Sequence, residues 1–253
     1  MNHAPKASLF AAALFLTSGL ASAQLGPQAL PFPVQHFELD YATGKIERSP
    51  SAVVATAGVA TFTNTMMTGL YLDYSIPGID AYVDWGVKSS TVPGPVCCVE
   101  FAYGTTALDP SIGGPGASIV LRLYSGTQGT CLANPGEPGT LELELLLTGL
   151  PGTLVPGMPV GCSMEMDVST LRSFLPDGPI GWSYVNVDNV TGPLQVFPAA
   201  SMGVLNTLDV YTGASFPVNP GTCLPPFTLG FPFGSTYLAI NENNGLGAFC
   251  RKP

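Results

Sequence analysis

Ser118-Ile119-Val120-Leu121-Arg122-Leu123-Tyr124 and, beyond a turn-rich gap, Leu141-Glu142-Leu143-Glu144-Leu145 decide the fold class. In both runs a large aliphatic residue takes every second place, the period of a strand with one face against a core. Moving outward, Leu70-Tyr71-Leu72-Asp73-Tyr74 and Ala81-Tyr82-Val83-Asp84-Trp85 repeat the alternation. Further strands are expected within 53–62, 96–103, 160–168, 180–187, 207–211 and 236–240. Between them stand Pro77-Gly78, Pro93-Gly94-Pro95, Gly113-Gly114-Pro115-Gly116, Pro151-Gly152, Asp177-Gly178-Pro179 and Asn219-Pro220-Gly221, all turn formers. No long stretch keeps helical spacing without a Gly or Pro; Ser169 to Leu175 reads as a helical turn or a loop. Many short strands without helices predict an all-β, antiparallel β-sandwich of jelly-roll-like form. A single domain is expected over 24–253, with an extended N-terminal segment over 24–51 and the core at about 52–250.

Composition agrees. Only 10% of residues are charged, against about 25% in an average soluble domain, so Ser, Thr, Asn, Gly and Pro must supply much of the surface. The 30 Gly and 25 Pro approach low-complexity levels, but 46% hydrophobic residues are enough to build a core.

The first 23 residues read as an export leader. One cation, Lys6, precedes the apolar run Leu9 to Leu20, and Ala21-Ser22-Ala23 has the small-x-small form cut by signal peptidase. The run is too short for a permanent transmembrane helix, which needs about 20 apolar residues. Cleavage after Ala23 gives a secreted or periplasmic chain with no membrane insertion. The net charge of −9, made one unit more negative by loss of Lys6, disfavours nucleic acid and anionic lipid. An extracellular glycan or an envelope protein remains as partner.

All six cysteines, Cys97, Cys98, Cys131, Cys162, Cys223 and Cys250, follow the cleavage point, and an even count in an exported chain predicts a disulfide staple. Neighbours Cys97 and Cys98 would face opposite sides of a strand and take different partners. Several connectivities stay open, with Cys223–Cys250 the first expected pair.

Several phrases carry a resemblance: Phe101-Ala-Tyr-Gly-Thr-Thr-Ala-Leu-Asp-Pro110, Gly113-Gly-Pro-Gly-Ala117, Leu175-Pro-Asp-Gly-Pro-Ile-Gly-Trp-Ser-Tyr184 and Thr191-Gly-Pro-Leu194. They resemble a group of secreted β-rich proteins of planctomycete-like bacteria that carries no assigned activity. The resemblance spans Phe101 to Leu194 and implies a bacterial extracytoplasmic protein; it transfers no site residue.

Common catalytic machinery is sparse. Gly116-Ala-Ser118, Gly161-Cys-Ser163 and Gly181-Trp-Ser183 each lack the second glycine of a nucleophile elbow, and after leader removal His36 is the sole histidine. No zinc-ligand spacing or phosphate-cradling loop occurs, so no cofactor is implied. Glu165-Met166-Asp167 puts two carboxylates on one strand face, as in the E-x-D-x-E signature of jelly-roll glycoside hydrolases, but Ser169 or Thr170 stands where the second Glu belongs. A catalytic pair then needs an acid from another strand, and a solvated strand edge is the favoured reading of so short and common a string. Asn186, Asp188 and Asn189 offer oxygens for calcium, or simply form a turn.

A hairpin at Pro77-Gly78 would set Tyr71 opposite Asp84 and Asp73 opposite Tyr82 on one open face, with Trp182 and Tyr184 as a second platform. Such a face suits sugar rings and hydroxyls. Ordinary cross-strand pairs or core aromatics are the competing reading. The sequence therefore favours a non-catalytic structural or ligand-binding sandwich over a glycan-active hydrolase that uses Glu165 and Asp167.

Overall fold

The described residues are mostly strand, as the alternation predicts. The computed structural model describes residues 28–31, 33–49, 59–72, 79–90, 94–126, 139–197, 209–212, 222–224 and 235–243. The expected leader, Asp73, Cys131 and Cys250 lie outside the described residues, as do the side chains of Cys223 and the turn at Pro77-Gly78.

In chain order the strands are β1 (Gln28–Ala29), β2 (Gln35–Asp40), β3 (Lys45–Ser49), β4 (Val59–Asn64), β5 (Met67–Tyr71), β6 (Ile79–Lys88), β7 (Val96–Thr105) and β8 (Ala117–Ser125). They continue with β9 (Thr140–Leu150), β10 (Val160–Asp167), β11 (Gly178–Asn186), β12 (Thr191–Val196), β13 (Asp209–Thr212), β14 (Thr222–Leu224), β15 (Ser235–Thr236) and β16 (Leu238–Glu242). Two single 3-10 turns, Pro110–Ile112 and Ser169–Leu171, are the helical elements among the described residues.

The described strands form two sheets. One has ten strands along the path β1-β5-β12-β7-β10-β2-β3, with β16 beside β7, β4 beside β16 and β15 beside β12. The other runs β14-β13-β6-β11-β8-β9. Pairing is antiparallel except between β10 and β2, which run parallel. The 35–49 stretch is therefore no extended appendage. Phe37 and Ile46 pack against the core, and a turn at 41–44 with Gly44 at φ 70° folds β3 back on β2. Only glycine enters that left-handed region freely.

The inner faces meet in one apolar core. Phe62, Phe101, Tyr103, Met164 and Ile240 from the larger sheet pack with Ile119, Leu121, Leu145, Trp182 and Tyr184 from the smaller. The rings of Phe62 and Trp182 lie 5.1 Å apart across the layers. A second cluster covers part of the outer face of the ten-stranded sheet, where Tyr71, Ala102, Leu194, Val196 and Tyr237 receive Leu30 and Val34. Gly104 and Gly161 make room for it. A Cβ on Gly104 would stand 2.2 Å from the Tyr71 ring, and one on Gly161 would stand 2.6 Å from Leu30.

The expected disulfide staple is not found among the described cysteines. Cys97, Cys98 and Cys162 are buried, and none is bonded to another of the three. Cys97 and Cys98 are adjacent on β7, while Cys162 faces the core from β10. Burial pushes the Cys162 thiol up to about 12, so it stays protonated and inert at neutral pH.

Candidate functional site

The hairpin that would open a Tyr and Asp face is absent, because β5 and β6 belong to different sheets. Tyr71 lies in the outer cluster at 3% exposure, its ring over Gly104. Tyr82 and Asp84 sit on β6 opposite Tyr184 and Trp182 of β11, and that shared face is the inner one. The polar parity of 81–85 therefore points into the sandwich. Ala81 and Val83, on the other parity, are buried as well, beside Val185. A central strand covered on both faces has no solvent side for its polar residues.

Asp84 is fully buried and pins the sheets together. Its Oδ2 accepts from the Ser235 hydroxyl at 2.7 Å, the Thr236 N–H at 2.7 Å and the Thr236 hydroxyl at 3.2 Å. Oδ1 accepts from the Trp85 N–H at 2.9 Å. Trp182 Nε1 donates to Thr236 Oγ1 at 2.7 Å, and the Tyr184 hydroxyl donates to the Tyr237 carbonyl at 2.5 Å. Two repeats of the pleat further along β6, Lys88 Nζ pairs with Glu242 at 2.7 Å and Asp177 at 2.8 Å. Trp182, Tyr184 and Asp84 thus form an interior polar seam rather than a platform for ligand.

Residues with chemical reach gather on the outer face of the ten-stranded sheet. Glu165 of β10 stands opposite Glu100 of β7 on one side and Glu38 of β2 on the other, and Glu38 faces Glu47 of β3. Paired residues project to the same face, so four carboxylates form a row across four strands at about 4.8 Å spacing. Their chain neighbours Phe101, Met164, Phe37 and Ile46 pack on the core side, which assigns the row to the outside. Two residues along β10, Asp167 faces Cys98 and Asp40. In the other direction Ser163 faces His36, and their Oγ and Nδ1 share a 2.7 Å hydrogen bond.

The row grades from covered to open. Glu165 is 9% exposed and its Oε1 accepts from the Cys98 thiol at 3.5 Å. Glu100 is half-buried and accepts from the Tyr237 hydroxyl at 2.5 Å. Burial raises the Glu100 carboxyl above the usual carboxylate range, partly offset by that hydrogen bond. Tyr237 is pushed far up by burial and by the carboxylates beside it. Glu38 and Asp40 are half-buried, and Glu47 is exposed and ion-paired with Lys45.

Asp167 is occupied locally. Its Oδ1 accepts from Ser169 N–H at 3.0 Å and Ser169 Oγ at 2.6 Å, organising the 3-10 turn that ends β10. Across the ladder, Glu100 adds a carboxylate that the E-x-D string lacks along the chain. The signal for it was a lone carboxylate in the otherwise apolar string Val96-Cys-Cys-Val-Glu100-Phe-Ala102.

The Ser163–His36 contact has the composition of a nucleophile and base but not their setting. Ser163 is 3% exposed, and β10 is flanked by β7 and β2, so its N–H groups serve the ladders rather than an oxyanion cradle. Desolvation lowers the His36 pKa. Ser118 and Ser183 lie on β8 and β11, away from His36.

Asn186, Asp188 and Asn189 build the β11–β12 turn. Asp188 Oδ1 accepts from the Val190 and Thr191 N–H groups at 3.0 and 2.8 Å; Oδ2 accepts from Ser118 N–H at 2.8 Å and Thr191 Oγ1 at 2.7 Å. Asn186 and Asn189 bond each other, with Asn189 at φ 61°. The oxygens a calcium would need are engaged by the turn itself.

No family model, curated protein or solved structure matches the chain.

Proposed function

We propose that this is an exported, non-catalytic β-sandwich of the periplasm or extracellular space that binds a polyhydroxylated ligand, a glycan, on the outer face of the ten-stranded sheet. The observation that carries the reading is the carboxylate row from Glu100 through Glu165 and Glu38 to Glu47. Aligned carboxylates on a rigid sheet accept hydrogen bonds from successive hydroxyls, and the solvent-reachable end at Glu38, Asp40 and Glu47 gives a ligand its first contact. The leader-like start and the resemblance over Phe101 to Leu194 support export. In an oxidising compartment disulfide bridges form, Cys223–Cys250 first among them, while Cys162 stays a thiol. N-terminal sequencing should find Gln24, and mass mapping of exported protein should find those bridges; six free thiols would refute them.

One specific observation favours a second reading, a glycan-active hydrolase. Glu100 and Glu165 are a direct cross-strand pair, a geometry that sets Cβ atoms about 4.5–5.5 Å apart. Retaining glycosidases hold their two carboxyl groups about 5–5.5 Å apart. Glu100, with its raised pKa, would serve as acid and Glu165 as nucleophile, in place of Glu165 with Asp167. Assay of the mature protein on a panel of polysaccharides separates the readings. Binding without turnover, weakened in Glu38→Gln, supports the first; turnover abolished in Glu165→Gln establishes the second.

A further inference from the structure

Sheets end in unpaired backbone, and this protein treats its edges unequally. Strands β1, β14 and β15 present only two or three residues. The β3 edge is a charged string, Lys45-Ile-Glu-Arg-Ser49, with Lys45 and Glu47 paired. At β4 the Thr61 carbonyl accepts from Ser89 N–H at 3.3 Å. Short, charged or covered edges are the usual protection against strand addition.

Among the described residues, the β9 edge is the long one: its pairing with β8 is irregular between Leu141 and Leu143 and between Leu147 and Leu150, and regular from Leu143 to Leu147. It ends the six-stranded sheet with eleven residues, Thr140-Leu-Glu-Leu-Glu-Leu-Leu-Leu-Thr-Gly-Leu150, and has neither Lys nor Pro. Its two charges are turned back on β8, where Ser125 Oγ donates to Glu142 at 2.5 Å and Arg122 pairs with Glu144 at 2.6 Å. Leu141 and Leu146 are 43% and 59% exposed. Among the described residues, the Ser173 hydroxyl reaches the strand beyond β8, donating to the Glu142 carbonyl at 3.1 Å.

We propose that β9 is an assembly edge whose occupant is β9 of a second copy, paired antiparallel about a two-fold axis at Leu145, so that the six-stranded sheet continues across the dimer. The sequence of the strand is complementary to itself in this register. The regular stretch Leu143 to Leu147 pairs with itself, and the irregular ends at Thr140 and the partner's Leu150 fall opposite each other. On the outer face Glu144 meets the partner's Leu146 and Glu142 the partner's Thr148, so no like charges stand opposite. On the inner face Leu143 meets the partner's Leu147, extending the apolar layer. Sliding by one residue turns the leucines outward, and sliding by two toward the N-terminus sets Glu144 against Glu144. A shift by two the other way leaves strand ends unpaired. Charge and length together select one self-pairing.

The test is light scattering and sedimentation of the mature full chain over a dilution series. A dimer that dissociates on dilution is expected. Leu146→Glu opposes the partner's Glu144 and should raise the dimer Kd about tenfold or more; Leu146→Lys, in the same place, meets that carboxylate and should leave the dimer as tight or tighter. Wild-type protein that stays monomeric at every concentration overturns the proposal. Equal weakening by both variants, or by neither, overturns the register. Hydrogen exchange on wild-type protein requires no variant to fold: β9 amides should gain protection with concentration while those of β3 do not. An unchanged β9, or one protected only with another protein present, refutes self-pairing.

Discussion

Asp84 in β6 and Glu100 in β7 are both carboxylates withdrawn from water on interior strands, and the fold treats them oppositely. Asp84 faces inward and has donors on both oxygens, contributed by β15, Thr236 and its own chain neighbour. Glu100 faces outward, with one donor from Tyr237 and a second carboxylate, Glu165, directly opposite. Burial with donors on both oxygens makes a carboxylate a structural pin; burial offset in part by one tyrosine hydroxyl leaves it holding its proton more tightly, so that its charge costs stability.

The largest effect is expected at the pin. Asp84→Ala strands the Ser235 and Thr236 donors between the sheets and should cost roughly 3–5 kcal/mol in urea unfolding. A loss below about 1 kcal/mol would erase the contrast with Glu100. Lys88→Met should destabilise by a similar amount, roughly 3–5 kcal/mol, because it leaves Glu242 buried without its cation. Lys88→Met with Glu242→Leu should recover most of the loss, since well-packed apolar groups can replace a buried ion pair. If the double variant is no better than the single one, Asp177 or packing rather than the Glu242 charge governs the site.

Tyr71→Ser should lower stability by roughly 2–4 kcal/mol, as expected for truncation of a buried aromatic ring over a glycine. A folded variant with wild-type stability would return Tyr71 to the surface role its alternation first suggested.

On the outer face the effect is smaller and carries a pH signature. The folded Glu100 carboxyl lies above its unfolded value of 4.5, so the folded state holds its proton more tightly. That contribution is most favourable below the unfolded value and is lost as pH rises through the folded one. Glu100→Gln should flatten this part of the stability profile and raise stability near neutrality by a few tenths to about 1 kcal/mol. An unchanged profile would mean that burial does not hold the Glu100 carboxyl above its ordinary range. Cys162 gives the smallest effect. With its thiol at about 12, iodoacetamide near pH 8 should label it only after unfolding, as mass spectrometry would show.

How far the chain could be read depended on whether a segment's neighbours were encoded locally. Ile119, Leu121 and Leu123, with Leu143, Leu145 and Leu147, face the core as their alternation requires, because β8 and β9 form one hairpin. The same rule misassigned 81–85. Alternation identifies two faces but not which is inside, and β6 is buried on both. The β2–β3 hairpin is local but leaves little trace in the sequence, because Lys45-Ile-Glu-Arg-Ser49 is charged and hardly alternates, and the other partner of β2, β10, is distant in sequence.

By itself, then, the sequence determined an all-β chain: two-residue periodicity and frequent Gly and Pro are local properties, expressed wherever the strand lies. It also put Glu165 and Asp167 on one face, since strand parity follows from the pleat. Only the tertiary structure decided that Asp84 looks inward while Glu165 looks outward, that Glu100 and Glu38 flank Glu165, and that β9 is left as a long edge. Those outcomes depend on which sheet a strand joins and in what register, and pairing between distant segments is set by the whole core rather than by any one stretch of chain.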